Sequence, residues 1–138
     1  MKKQSLVHSD LADPIRDYDA HIYFTEKTQG LAEKLREKLI AQFSGKTLRV
    51  GPLFNEWIGP HTAFMFELNF TKENLEPVLS YLFHHRDNLS VLIHEVTDND
   101  PRDHTLGAIW LGKKVELDFS KLSPVPEGSC RLQSDLFI

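Results

Sequence analysis

The sequence predicts an α+β protein of ferredoxin-like type: a β-α-β-β-α-β sandwich with an antiparallel sheet, helices on one face and an extra C-terminal strand or hairpin. Three observations predict it. Residues 18–24 and 61–70 alternate apolar and polar side chains as strands do, two other stretches repeat apolar residues at helical spacing, and the two patterns follow one another in that order. A chain of 138 residues, 41% hydrophobic and 26% charged, has the size and composition of one soluble core. We expect a single domain over residues 17–122, with an N-terminal arm over 1–16 that orders only by docking and a loose C-terminal tail over 123–138.

The first expected strand runs from Tyr18 to Phe24, with Tyr18, Ala20, Ile22 and Phe24 on one face and Asp19, His21 and Tyr23 on the other. Thr25 or Thr28 caps a helix whose Leu31, Leu35, Leu39 and Phe43 form an apolar stripe, and Ser44-Gly45 ends it. A second strand from Thr47 to Phe54 contains Gly51-Pro52, which places it at the sheet margin, because proline has no N–H for a ladder. The clearest strand is His61 to Phe70, with Phe64, Phe66, Leu68 and Phe70 facing the core and His61, Ala63, Met65, Glu67 and Asn69 facing away. Thr71 or Asn74 caps a second helix through Leu75, Val78, Leu79 and Leu82, and Leu89 to Val96 is a fourth strand, broken by Asp98-Asn99-Asp100-Pro101. The runs 108–111 and 115–119 flank Gly112-Lys113-Lys114 as a hairpin or bent strand. With the usual 4-1-3-2 strand order, both helices cover one face and leave the other open.

Charge and cysteine usage narrow the function. A net charge of −4 with scattered Lys and Arg argues against nucleic acid as a partner, and no apolar run approaches the roughly 20 residues of a membrane helix. One cysteine, Cys130, forms no internal disulfide, and Leu6-Val7 is too short for a secretory core, so the cytoplasm is the expected compartment. Seven histidines are the compositional oddity. His21 and His61 lie opposite the apolar rows of their strands, and His94 joins them if Val91 and Ile93 face the helices. Three adjacent strands about 4.8 Å apart then aim three imidazoles at one ion.

Asp19, two residues before His21 on the same face, either completes a two-histidine, one-carboxylate set or contacts a ligand or the substrate. His104 is either an acid/base group or an exposed loop histidine. Tyr23, Trp57 and Trp110 either wall an aromatic pocket or pack in the core or an interface. His84 and His85 end the second helix and are read as structural, and His8 as part of the arm. Glu67 shares the open face, but six residues of extended strand put it about 20 Å from His61, too far to act beside it.

In order and spacing, Ala20-His21-Ile22-Tyr23-Phe24, Gly59-Pro60-His61, Val91-Leu92-Ile93-His94 and Asp103-His104-Thr105 with Trp110-Leu111-Gly112 resemble the dopa 4,5-dioxygenase family. The resemblance covers about residues 17–122 and implies a homodimeric ferredoxin-like subunit that opens the ring of dopa or a related catechol with non-haem Fe(II) and O2. Zinc is another divalent ion these donors would accept. The implied proton-transfer groups are His104 and Asp19. One departure stands out: the family often has His-Ala-His in the first strand, where this chain has Asp19-Ala20-His21. The rival reading is a non-catalytic protein binding a metal or small aromatic molecule on the same fold.

Overall fold

In a computed structural model that describes residues 15–122, five strands form one antiparallel sheet: β1 (Tyr18–Phe24), β2 (Leu48–Val50), β3 (Phe64–Phe70), β4 (Val91–Glu95) and β5 (Ala108–Leu111). Their spatial order is β2-β3-β1-β4-β5, the expected ferredoxin-like order with one strand added beyond β4. Helices α1 (Gln29–Gln42) and α2 (Leu75–His85) connect the halves, and α3 (Asp100–Asp103) is a single turn. No described helix is long and apolar enough to cross a membrane. The expected arm and tail, with His8 and Cys130, lie outside the described residues except at Pro14's successors Ile15 and Arg16.

The helical stripe and the strand alternation meet in one core. Ala20, Ile22 and Phe24 of β1, Phe66, Leu68 and Phe70 of β3, and Val91 and Ile93 of β4 pack against Ala32, Leu35 and Leu39 of α1 and Val78 and Leu82 of α2. Thr28 precedes α1, but its hydroxyl accepts from the Thr25 N–H at 2.8 Å, ahead of the helix, so its side chain caps no helical N–H. Gly45, at φ +82, turns the chain after α1 in a conformation that glycine adopts without strain. Asn74 precedes α2, but its amide donates to Thr47 instead of capping.

Four boundaries differ from expectation. β2 is only Leu48–Val50, at the sheet edge as Pro52 requires. β3 begins at Phe64 rather than His61, because residues 58–61 form a turn in which the His61 N–H donates to the Ile58 carbonyl at 2.9 Å. The break after β4 contains α3, capped by Asn99, whose side chain accepts from the Arg102 N–H. The run 115–119 is not a strand. Val115 and Leu117 instead pack on Tyr23, Met65 and Leu92 across the helix-free face, the Asp118 N–H donates to the Pro60 carbonyl at 2.8 Å, and Thr62 Oγ1 donates to the Glu116 carbonyl. Side-chain burial wins over a ladder here. The chain thus covers much of its own open face, so burial there needs no second copy.

Candidate functional site

The odd positions of β1 build the floor of a polar cavity. Across the sheet Asp19 pairs with Asn69 of β3 and His94 of β4, while His21 pairs with Glu67 of β3 and Leu92 of β4. Asp19, His21, Glu67, Asn69 and His94 are all buried. His61 reaches them from the turn ahead of β3, where Gly59 takes φ +55, a left-handed conformation suited to glycine. His104 arrives from the end of α3, which Asp103 fixes by accepting from Thr97 N at 2.7 Å and Thr97 Oγ1 at 2.6 Å.

Four imidazoles therefore face one another. Ring centroids are 4.0 Å apart for His21 and His61, 5.2 Å for His21 and His94, 4.3 Å for His94 and His104, and 5.9 Å for His61 and His104. They line a cavity of about 230 Å³ together with Asp19, Glu67, Arg16 and Lys121. Three rings have Nδ1 tied away from the centre: His94 to the Glu95 carbonyl at 2.6 Å, His104 to the Asp100 carbonyl at 2.9 Å, and His61 to the Tyr23 hydroxyl at 2.7 Å. A carbonyl only accepts, so Nδ1 of His94 and His104 carries the proton and Nε2 keeps its lone pair.

Burial dominates the electrostatics. It lowers all four histidines from their ordinary range, His61 to about 3 and His21 well below, with the neighbouring imidazoles adding to the effect at His21 and His61. The rings are neutral at pH 7, the form that ligates metals. Burial also raises the Asp19 and Glu67 carboxyls, opposed at Asp19 by Arg16, whose guanidinium lies 3.2 Å from Oδ2, and by Asn69, whose amide donates to Oδ1 at 2.7 Å. Burial likewise raises Tyr23, whose hydroxyl stays protonated.

The donor set fits a divalent ion. Donor atoms of His21, His61 and His104 lie within 4.8 Å of one another, and so do those of Asp19, His21 and His94. Nε2 of His21 and Nε2 of His94 are 3.1 Å apart. Two nitrogens each about 2.0–2.1 Å from one ion, at angles from a right angle to tetrahedral, are about 2.8–3.4 Å apart. The buried Nδ1 of His21 has no hydrogen bond; the Glu67 carboxylate stands 3.5 Å away, beyond hydrogen-bond range but close enough for charge.

The expected trio of His21, His61 and His94 reaches one cavity but is divided between two donor sets that share His21. His104 joins the cavity, and Asp19 faces it. Tyr23 touches His61 through its hydroxyl and stacks on Trp110 with centroids 5.8 Å apart, so these two form the apolar side of the same face. Trp57 lies elsewhere: it is 67% exposed and lines a separate cleft of about 500 Å³ with Phe24, Thr62 and Phe64. Glu67 corrects the sequence expectation. The 20 Å separation assumed that His61 belonged to the extended strand, whereas the turn at 58–61 folds its ring back over His21. Antiparallel register between β1 and β3 was the missing signal. Asn69 and Arg16 join the site through their contacts with Asp19, which the sequence alone does not show.

A model of the dopa 4,5-dioxygenase family matches residues 18–121. A protein named DOPA 4,5-dioxygenase from Amanita muscaria is 28% identical over 138 residues, covering 96% of this chain and 60% of its own length. An uncharacterized 21.2 kDa protein from Botryotinia fuckeliana is 36% identical over 115 residues, covering 75% of this chain and 61% of its own. The chain thus spans about three fifths of these curated relatives. Among solved structures, a "putative dioxygenase" from Nostoc punctiforme superposes with a TM-score of 0.71 at 30% identity, covering 77% of this chain and 90% of that one.

Proposed function

The chain belongs to the dopa 4,5-dioxygenase family, and from that premise we propose that it is an extradiol ring-cleaving dioxygenase acting on dopa or a related catechol with Fe(II) and O2. The observation that carries the reading is four neutral, buried imidazoles around one cavity, with a carboxylate on the same floor. His21, His94 and Asp19 are the residues we assign to iron, since two histidines and a carboxylate form the donor set of oxygen-activating non-haem iron. The alternative set of His21, His61 and His104 is all nitrogen and suits zinc equally well. When bound, iron supplies Lewis acidity toward the catechol oxygens and redox access to O2.

The chain's own residues supply positioning and proton transfer. His104, its Nδ1 proton held by the Asp100 carbonyl, offers Nε2 to take a catechol hydroxyl proton and return it later. Asp19 is the second candidate base should it not ligate. The Tyr23 hydroxyl fixes the His61 ring, and Tyr23, stacked on Trp110, backs that ring from the apolar side of the face, while Ile58, Met65 and Leu122 give the cavity its own apolar lining. A volume of about 230 Å³ has room for one small aromatic molecule. Cleavage breaks a ring carbon–carbon bond and places both atoms of O2 in a muconic semialdehyde. We carry the functional unit as residues 17–122, acting as a cytoplasmic homodimer.

The test is anaerobic Fe(II) loading of purified protein, then exposure in air to a panel of catechols, following O2 uptake and the yellow semialdehyde. Stoichiometric uptake with ring opening supports the reading. Metal or aromatic binding without turnover of any catechol favours the non-catalytic binding protein instead.

A further inference from the structure

We propose that Glu67 is the positioning residue for His21, accepting its Nδ1 proton and so aiming its Nε2 lone pair at a divalent ion. The inference rests on the metal reading above and adds a residue to it. His21 and Glu67 are directly paired across β1 and β3, both buried, with Glu67 Oε1 3.5 Å from His21 Nδ1. Asn69 holds the other carboxylate oxygen, Oε2, at 3.4 Å while bonding Asp19 at 2.7 Å, so one amide anchors both acids.

The argument is a proton inventory at His21. His94 donates its Nδ1 proton to the Glu95 carbonyl, which leaves a bare lone pair on Nε2, 3.1 Å from Nε2 of His21. A neutral imidazole carries one proton. On Nε2 of His21 it would satisfy His94 but turn the buried Nδ1 lone pair toward the Glu67 carboxylate, where no hydrogen bond reaches it. On Nδ1 it would face Glu67 favourably but set two Nε2 lone pairs against each other. A cation held by these two histidines would remove that conflict and leave only the tautomer that Glu67 holds. The other three histidines already have Nδ1 partnered by a carbonyl or hydroxyl, so Glu67 completes a pattern in which every ring is oriented from behind.

The test uses zinc, which is diamagnetic and needs no turnover. Zinc affinity is measured by competition with a chelator for wild type, Glu67→Ala and Glu67→Gln, and the tautomer of His21 is read from long-range ¹H–¹⁵N correlations in the zinc-loaded proteins. We expect Nδ1-protonated His21 in wild type, a loss of about 10–100-fold in affinity for Glu67→Ala, and partial recovery in Glu67→Gln, which keeps shape and one acceptor. Glu67→Gln also serves if the alanine variant does not fold. Unchanged affinity in both variants, or His21 protonated on Nε2 in zinc-loaded wild type, overturns the assignment of Glu67. Wild type that binds neither zinc nor iron overturns the metal reading itself, and with it this one. Zinc binding with the expected losses but no catechol turnover by the iron form leaves Glu67 in place and removes only the dioxygenase.

Discussion

Ile22 and His21 are neighbours on β1, yet Ile22 is buried among hydrocarbon under two helices and His21 among nitrogen and oxygen under loops. The helix-covered face is closed by regular elements whose apolar stripes match it. The opposite face is closed by the turn at 58–61, by α3 and by the segment after β5, and it buries Asp19, Glu67, Asn69 and four histidines. Burying polar groups opposes folding unless each is partnered. Stability and proposed chemistry thus occupy opposite faces of the same strands, which makes them separable by substitutions one residue apart.

The sharpest separation is the pair Ile22→Ala and His21→Ala. Ile22→Ala deletes fully buried hydrocarbon and should cost about 2–5 kcal/mol in urea unfolding, while the folded fraction keeps wild-type metal stoichiometry. His21→Ala removes the donor common to both candidate sets and should abolish stoichiometric metal binding while leaving a folded protein. If His21→Ala keeps full metal content, the division between the faces fails.

A second test breaks the comparison with protons. Because burial holds His61 at about 3 in the folded chain, against about 6.5 when unfolded, its contribution to stability is complete above pH 6.5 and is lost as pH falls toward 3. Asp19 and Glu67 act with the opposite sign, since their raised values favour the folded state at low pH and less so as pH rises through them. Metal-free protein should therefore lose stability from pH 7 to 5. His61→Gln should flatten that slope by up to about 1.4 kcal/mol per pH unit, one proton's worth. Parallel slopes for both proteins would place His61 in contact with water.

Smaller still is Tyr23→Phe, which leaves the ring stacked on Trp110 but deprives His61 Nδ1 of its partner. A loss of about 1 kcal/mol in unfolding free energy is expected. No loss would mean that the 2.7 Å contact contributes nothing net to stability.

Period and order in the sequence are enough for β1, α1 and α2, because each has an unambiguous apolar stripe or row, whereas β4 is recognisable as a strand but apolar on both faces. Parity also decides the side on which His21 lies, whereas the side of His94 depends on Val91 and Ile93 facing the helices, as they do in the fold. Other features are not legible from period and order. His61 lies in the cavity but outside the strand that its alternation predicts, because the alternation before Phe64 is accidental and the turn at 58–61 is set by Gly59 and by pairing with the segment after β5. The place of Glu67 beside His21 depends on the same turn and on a register that only the folded β1–β3 pair reveals. Val115 and Leu117 show the third limit, where alternation that reads as a strand reflects docking on Tyr23 and Leu92 instead. Trp57, aromatic and near His61 in sequence, faces another cleft because the intervening loop carries it outward.

The smallest effect is expected outside the comparison altogether, at the other histidines. His84 and His85 are exposed at the end of α2, and His85 stacks on Tyr81 with ring centroids 4.0 Å apart. Neither belongs to a metal donor set among the described residues. His84→Ala, which keeps that stacking intact, should change unfolding free energy by no more than about 0.5 kcal/mol, as for most exposed substitutions, and should leave metal content and any catechol turnover at wild-type levels. His94→Ala is its control, a histidine removed from β4 that should lose both. Since the two variants delete the same side chain, a difference between them reports position alone. Equal metal content and equal rates would show that neither the buried position of His94 nor its approach to His21 matters, and the polar face would then be structural.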